Sequence, residues 1–179
     1  MIRVKELLAE ELVPDMLMNF EHRQRITDIW VQRNGEWKLE ARPSLREWDG
    51  EKRRWIAGYI RQQIERGGAC IAAYDGDVLI GFACLDGLML GKTGQYANLT
   101  MLFVDDKWKR RGIGRGLFEK MIERAAAMKA DKLFISAIPS VETVSFYFSM
   151  GCKDAVEMIP SFVDTENDRY LEYDLRHQK

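Results

Sequence analysis

Between Lys107 and Leu117 the chain reads KWKRRGIGRGL. Three glycines, Gly112, Gly114 and Gly116, stand among Lys107, Lys109, Arg110, Arg111 and Arg115. An apolar alternating segment, Leu99 to Val104, precedes them, and a segment with helical apolar spacing follows to about Lys129. The pattern predicts strand, basic glycine turn, helix. A helix start leaves its first backbone N–H groups unpaired and carries partial positive charge. Glycines let an anion approach those groups closely, so the stretch is built to hold a polyphosphate. A Walker loop does not fit, because no Lys-Ser or Lys-Thr follows the glycines. A Rossmann fingerprint does not fit either. Leu117 stands where its third glycine belongs, and the next apolar strand, Leu133 to Ile138, ends in Pro139 without an acid.

A third pattern fits. Lys109–Gly114, K-R-R-G-I-G, resembles the acyl-CoA-binding motif [Q/R]-x-x-G-x-[G/A] of GNAT-family N-acetyltransferases, with Leu102-Phe103-Val104 upstream at the family's spacing and Trp108 at its aromatic position. Downstream, SVETVSFYFSMGC from Ser140 to Cys152 resembles the family's N-x-x-A-x-x-F-Y-x-x-x-G-F segment, with Ser140, Thr143 and Cys152 replacing Asn, Ala and Phe. Lys109 replaces the usual Gln or Arg, and Asp106 a common Pro. The match spans about Val78 to Cys152. Two motifs in this order, with a strand between them, are a far stronger signal than one glycine motif.

The resemblance implies acetyl transfer from acetyl-CoA to a primary amine, by direct attack in a ternary complex. Leu102, Phe103, Val104, Lys109, Arg110, Arg111, Gly112, Ile113, Gly114, Arg115, Ser140 and Tyr147 would bind the cofactor, and backbone near Leu102 and Val104 would receive the oxyanion. Tyr147 would be the acid for the leaving thiolate. A thiol pKa of ~8.5 lies below a phenol's ~10, so the site must tune both groups or rely on the hydrogen bond alone. Some members carry a Glu base on the central strand; that position here is Asn98. An amide cannot take a proton, though it can hold a water that does, and otherwise the acceptor enters neutral. The pH dependence would then follow the acceptor's own pKa. The implied acceptor is a small-molecule amine. Acids at Glu157, Asp164, Glu166 and Asp168 favour a cationic one.

Two other classes remain to be weighed. One is a GNAT-fold protein that binds acyl-CoA without transfer; retention of Tyr147 argues against it. The other is a nucleic-acid-binding helix start at Arg110–Arg115; a formal net charge of −1 argues against that. In thermal shift, CoA stabilises the enzyme and the binding protein, nucleic acid only the third class.

The elements that must position these residues can be read along the chain. Ile2 and Val4 predict a short first strand, and Pro14 a helix to about Arg25. Thr27 to Ala41 alternates about Asn34-Gly35, a hairpin signal. In the family this region is variable and shapes the acceptor side, so the hairpin is read either as a pocket wall or as a surface turn with packed tryptophans. Ser44-x-x-Glu47 and Asp49 are alternative caps for a helix through Trp55, Ile56, Tyr59, Ile60 and Ile64, ended by Gly67-Gly68. Cys70–Tyr74 and Val78–Leu85 read as strands joined at Asp75-Gly76, followed by a polar loop, Gly91–Gln95. Asn98–Val104 is the central strand. Ile113, Leu117, Met121, Ile122, Ala125 and Met128 stripe the helix after the glycines. Leu133–Ile138 reads as a strand and Val141–Met150 as a helix, with Ala155–Phe162 and Arg169–Leu175 closing the chain as an antiparallel pair.

That order predicts an α/β fold. By resemblance it is the GNAT fold: a mixed, mostly antiparallel central sheet flanked by helices. Its central strands splay to admit the pantetheine arm as an added strand. The 179 residues suffice for one domain, with no linker or repeat. No run approaches the ~20 apolar residues of a membrane span. The N-terminus, MIRVKELLAEEL, lacks a signal-peptide core. Cys70, Cys84 and Cys152 are odd in number and scattered, and the first two read as core filling. Together these features predict a cytoplasmic protein. His22 and His177 have no Cys or His beside them, so no metal site is expected.

Overall fold

A computed structural model describes residues 1–176; His177 lies outside them. In chain order the elements are β1 (Ile2–Glu6), a 3-10 turn (Ala9–Glu11), β2 (Arg23–Arg33), β3 (Glu36–Glu47), α1 (Gly50–Glu65), β4 (Ala69–Asp75), β5 (Val78–Leu90) and β6 (Tyr96–Val104). A second 3-10 turn (Asp106–Trp108) leads into α2 (Ile113–Ala127). Then come β7 (Lys132–Ala137), α3 (Val141–Ser149), β8 (Lys153–Asp154), a third 3-10 turn (Pro160–Phe162) and β9 (Arg169–Asp174). Seven strands form one sheet in the order β1-β4-β5-β6-β7-β9-β8, and β2 and β3 form a separate hairpin. Among the described residues only β6–β7 is a parallel pairing; the others are antiparallel. The mixed, mostly antiparallel sheet expected from the sequence is therefore present. The first and last of the described strands, β1 and β9, both belong to it.

Helices cover the two faces. The α2 stripe, Ile113, Leu117, Phe118, Met121, Ile122 and Ala125, packs with Ile80, Ala83, Leu85, Leu99, Ile135 and Leu171. On the other face Ile56, Ala57 and Ile60 of α1 meet Cys70, Ala72, Phe82 and Cys84. Strand β5 feeds both faces in alternation, which explains its near-continuous apolar run. Cys70 and Cys84 are cross-strand neighbours in that core, both fully buried and not joined by a disulfide.

The sheet opens at its centre. Pairing of β6 with β7 runs only from Tyr96↔Lys132 to Asn98↔Phe134. On its other side β6 pairs Leu99 with Leu85 but Met101 with Cys84, leaving Thr100 as an extra residue. Such a bulge bends its strand and sharpens the twist. The divergence of β6 from β7 begins beside it.

Below the opening, Tyr96, Lys132 and Glu172 tie three strands together. The Tyr96 hydroxyl donates to Glu172 Oε2 at 2.7 Å, and Lys132 Nζ donates to Tyr96 Oη at 3.1 Å and Glu172 Oε1 at 3.2 Å. Glu172 is completely buried, and the Lys132 side chain is 6% exposed.

The Asn34-Gly35 turn forms as expected, both residues at positive φ, 51° and 83°, but the strands it joins are longer than the alternation suggested. The hairpin docks on the rest of the protein through several contacts, two of them near its tryptophans. Trp30 N donates to Pro139 O at 2.7 Å. Buried Arg169, held by Asp154 at 2.7 and 2.8 Å, lies against Trp30, Trp37 and Phe148.

Three expectations are corrected. No helix runs from Pro14 to Arg25. Three successive i→i−3 turns place Leu17 and Phe20 in the core instead, and β2 claims the chain from Arg23 for its ladder with β3. Ser44 lies in β3, and Asp49 caps α1 by accepting from Lys52 N at 2.7 Å. Ala155–Phe162 is not a strand. On this side Lys153–Asp154 pairs with β9, and Ala155 N adds one bond to Tyr170 O at 2.9 Å; Pro160 lacks an N–H for a ladder, and the segment turns so that Ile159 and Phe162 plug the core beside Phe134.

Candidate active site

A cleft of about 880 Å³ occupies the opening between β6 and β7. Leu99–Val104 form one wall, and Ile135–Ile138 with Glu142, Thr143, Phe146 and Tyr147 the other. Lys109, Arg110, Gly112, Gly114 and Arg115 close it where α2 begins. The sequence segments singled out for chemistry, nearly forty residues apart, therefore share one cavity.

The glycine turn has the geometry of an anion cradle. Gly112 caps α2 in the left-handed region at φ 81°, and Arg110 is left-handed too at φ 59°. The first helical hydrogen bond of α2 runs from Gly116 N to Gly112 O at 3.0 Å. The N–H groups of Ile113, Gly114 and Arg115 precede it and have no acceptor within the helix. A Cβ on Gly114 would lie 3.4 Å from Phe146 and 3.6 Å from Val104. The residue therefore stands where the turn faces both walls.

The five basic residues divide by partner. Lys107 pairs with Glu21 at 2.8 Å. Lys109 Nζ is held by Asp106 at 2.7 Å and by the Arg23 carbonyl at 2.8 Å, which fastens the turn to β2. Arg111 lies over the Trp108 ring, 4.8 Å from its centre, and outside the cleft lining. Arg110 and Arg115 line the cleft and are exposed, without a protein ion-pair partner among the described residues.

Tyr147 is 7% exposed and packs against Phe146 and Phe118 at ring distances of 5.1 and 5.9 Å. Its hydroxyl makes no protein hydrogen bond among the described residues. Burial, with a smaller push from Cys152, raises the phenol well above its ordinary value, so it keeps its proton. Ser140 takes a different place from the one its motif suggested. It is 2% exposed and does not line the cleft. It caps α3, accepting from Thr143 N at 3.2 Å, and accepts from Gln24 Nε2 at 3.2 Å. Asn98, 6% exposed, is the last residue paired with β7, and the cleft wall begins one residue later. Ile113 contributes its backbone to the turn and its side chain to the core.

Three cleft residues come from outside the stretch Leu99–Met150, and sequence reasoning did not assign them to the cleft. His22 and Gln24 arrive with the hairpin, and nothing in their spacing marks them. His22 lies between Trp48 and Phe103 at 4.6 and 5.0 Å, with Nδ1 buried and unpartnered. Burial first, then Lys109 and Arg46, pull it down to about 4, so it is neutral and weakly basic near neutral pH. Gln24 bridges to Ser140 and Thr143, and with His22 it makes the hairpin a cleft wall. Asp164 was visible only as one acid among several. Solvent reaches it at the cleft mouth, but the surrounding walls, with Asp168 second, raise its carboxyl to about 6.

Among the described residues no group of three or more His, Cys, Asp or Glu is arranged to hold a metal, and no helix is long and apolar enough to cross a membrane.

Comparison with known proteins adds to this geometry. Residues 52–158 match the family described as acetyltransferase (GNAT) domain. No curated protein matches the sequence. Among solved structures, a nourseothricin acetyltransferase superposes with a TM-score of 0.65 at 12% identity, covering 96% of this chain and 95% of that one. The PaiA N-acetyltransferase of Thermoplasma acidophilum, solved with coenzyme A, gives 0.60 at 14% identity over 97% and 99%. The ribosomal-protein-S18-alanine N-acetyltransferase of Escherichia coli gives 0.55 at 18% over 96% and 90%. At these identities the likeness is one of fold.

Proposed function

Because the chain belongs to the GNAT acetyltransferase family, we propose that it transfers the acetyl group of acetyl-CoA to a primary amine of a small-molecule acceptor, both substrates being bound when the nitrogen attacks. The observation that carries this reading is the gap between β6 and β7 leading straight to the open first turn of α2. Strands left unpaired along such a gap can take an extended arm as an added strand, and the turn has the chemistry of a diphosphate site.

Each part of the chain then has a role. The N–H groups of Ile113, Gly114 and Arg115 hold the diphosphate, with Arg110 and Arg115 supplying charge. Lys109 and Arg111 act from the flank, Lys109 by fixing the turn against β2. Backbone of Leu102, Phe103 and Val104, unpaired on the cleft side, carries the pantetheine arm and supplies a donor to the oxyanion. Acetyl-CoA supplies a thioester carbonyl, and holding it beside the amine accounts for much of the rate. Tyr147 hydrogen-bonds the departing sulfur. Asn98, without a protein hydrogen bond to its carboxamide among the described residues, is placed to hold a water at the neck of the cleft. A small acceptor suits a cavity walled by His22 and Gln24. Three buried cysteines, none in a disulfide, suit a reducing, cytoplasmic setting.

The direct test is thiol release from acetyl-CoA with a panel of primary amines. Turnover with at least one supports the reading. Stabilisation by CoA without turnover on any would make the protein an acyl-CoA binder.

The diphosphate site has its own expected result. Gly114→Asp places a carboxylate in the first turn of α2, where it suits the helix dipole and where the new Cβ meets only ordinary contacts. Folding should survive. CoA affinity should fall at least tenfold, ~1.4 kcal/mol. Calorimetry showing unchanged affinity in the folded variant would remove the diphosphate from this turn.

A further inference from the structure

The transferase reading leaves open what removes the acceptor's proton. Asn98 cannot, and His22 is too weakly basic. Asp164 follows the buried 3-10 turn Pro160–Phe162, and two anchors fix its backbone: Phe162, 2% exposed, and a hydrogen bond from Asp164 N to Ser136 Oγ at 3.0 Å. The neighbouring carboxylate, Asp168, is fully engaged, accepting from Ser136 Oγ at 2.7 Å and Thr165 Oγ1 at 2.9 Å. The Asp164 carboxylate has no hydrogen-bond or ion-pair partner among the described residues, and it lines the cleft. Two uncharged hydroxyls border this region. The Tyr59 phenol on α1 is raised by burial and next by the charge of Asp164, and its other neighbours are Thr100, the bulge residue of β6, and Asp86 of β5. The charge acting on Asp164 itself is that of Asp168. The cleft's cations, Lys109, Arg110 and Arg115, stand at the α2 end, and Glu142 on α3.

Building on that transferase reading, we propose that Asp164 receives the acceptor as a primary alkylammonium ion and removes its proton, acting as the general base of the reaction. One ammonium proton passes to the carboxylate. The freed nitrogen lone pair forms the N–C bond to the thioester carbonyl carbon, and the C–S bond breaks. The second proton lost from nitrogen balances the one taken up by the thiolate, and Asp164 returns its proton to solvent. A carboxyl near 6 is suited to this step, being ionised at neutral pH yet more basic than an ordinary Asp.

The test is the pH profile of kcat/KM with two alkylamines of different pKa, in the wild type and in Asp164→Asn. In the wild type the rising limb should sit near 6 with both amines. In Asp164→Asn, where only free amine can react, activity at pH 7 should fall ~10²–10⁴-fold, and the limb should move to each amine's own pKa. Asp164→Glu should restore a limb pinned across acceptors. A wild-type limb that tracks the acceptor, or an Asp164→Asn profile like the wild type, overturns the proposal. The two-amine comparison needs only the wild type, so it decides even if the variant unfolds. A wild type that binds acetyl-CoA but acetylates no amine defeats the transferase reading, and this proposal with it.

Discussion

Tyr147→Phe is expected to lower kcat by about 10²–10⁴-fold, with acetyl-CoA affinity and melting temperature nearly unchanged. The substitution removes one oxygen that has no protein hydrogen bond among the described residues. The ring contacts with Phe118 and Phe146 remain, so packing should survive. The expected loss rests on the surroundings of the leaving sulfur. In water a thiolate is a weaker base than a phenolate. Here the Cys152 thiol, whose backbone N–H donates to Tyr147 O at 3.0 Å, shows what this part of the protein does to sulfur: burial pushes it up to about 12. A CoA thiolate shielded from water to a similar degree would be a stronger base than in solution, and a phenol raised by the same desolvation would be a matched donor to it. The measurements are kcat, acetyl-CoA affinity and melting temperature on one preparation. A loss of only a few-fold would assign the thiolate's proton to solvent and Tyr147 to packing.

Glu172→Ala should cost about 3–5 kcal/mol of folding stability. The change leaves Lys132 as an unpaired charge in the interior and takes the acceptor from the Tyr96 hydroxyl and from Val156 N–H. Burial is the largest influence on the Glu172 carboxyl and raises it, but hydrogen bonds from Tyr96, Val156 and Lys132 more than offset that, and the group sits below its ordinary value. Its stabilising effect is thus complete above the ordinary carboxylate pKa of ~4.3 and is lost as pH falls through the lower folded value. Urea unfolding at pH 7 measures the loss, and repeating it toward pH 3 should show the wild type approaching the variant. The double change Glu172→Leu with Lys132→Met should recover much of the stability. A single-variant loss under about 1 kcal/mol would show that solvent reaches the pair.

Much of this was legible because local rules and tertiary structure agree. The glycines of the α2 turn, the Asn34-Gly35 hairpin and the apolar stripe of α2 are all read within a few residues. The failures share a cause. Leu17 and Phe20 have helical spacing, but the core can take them from tight turns equally well, and the ladder of β2 decided the matter. Ala155–Phe162 is apolar because it plugs the core, not because it pairs. The bond from Gln24 to the Ser140 hydroxyl likewise comes with the hairpin, and no local motif carries it. His22, Gln24 and Asp164 reach the cleft only by folding, from segments more than seventy residues from either motif or beyond the second one, and no spacing rule carries that information.

The opening between β6 and β7 also leaves strand backbone without a partner inside the sheet. Along Met101–Val104 and Ile135–Ala137, one side of each backbone lacks a strand neighbour. Such rows are templates for a foreign strand, and proteins usually bury, charge or bend them at the rim of a sheet. Here the unpaired rows are interior, and the strands enclosing them are rich in Leu, Phe, Val and Ile. An extended arm that fills the opening removes the template along with completing the sheet. Co-substrate seated there is accordingly expected to lower any tendency of the strands to pair with a second copy.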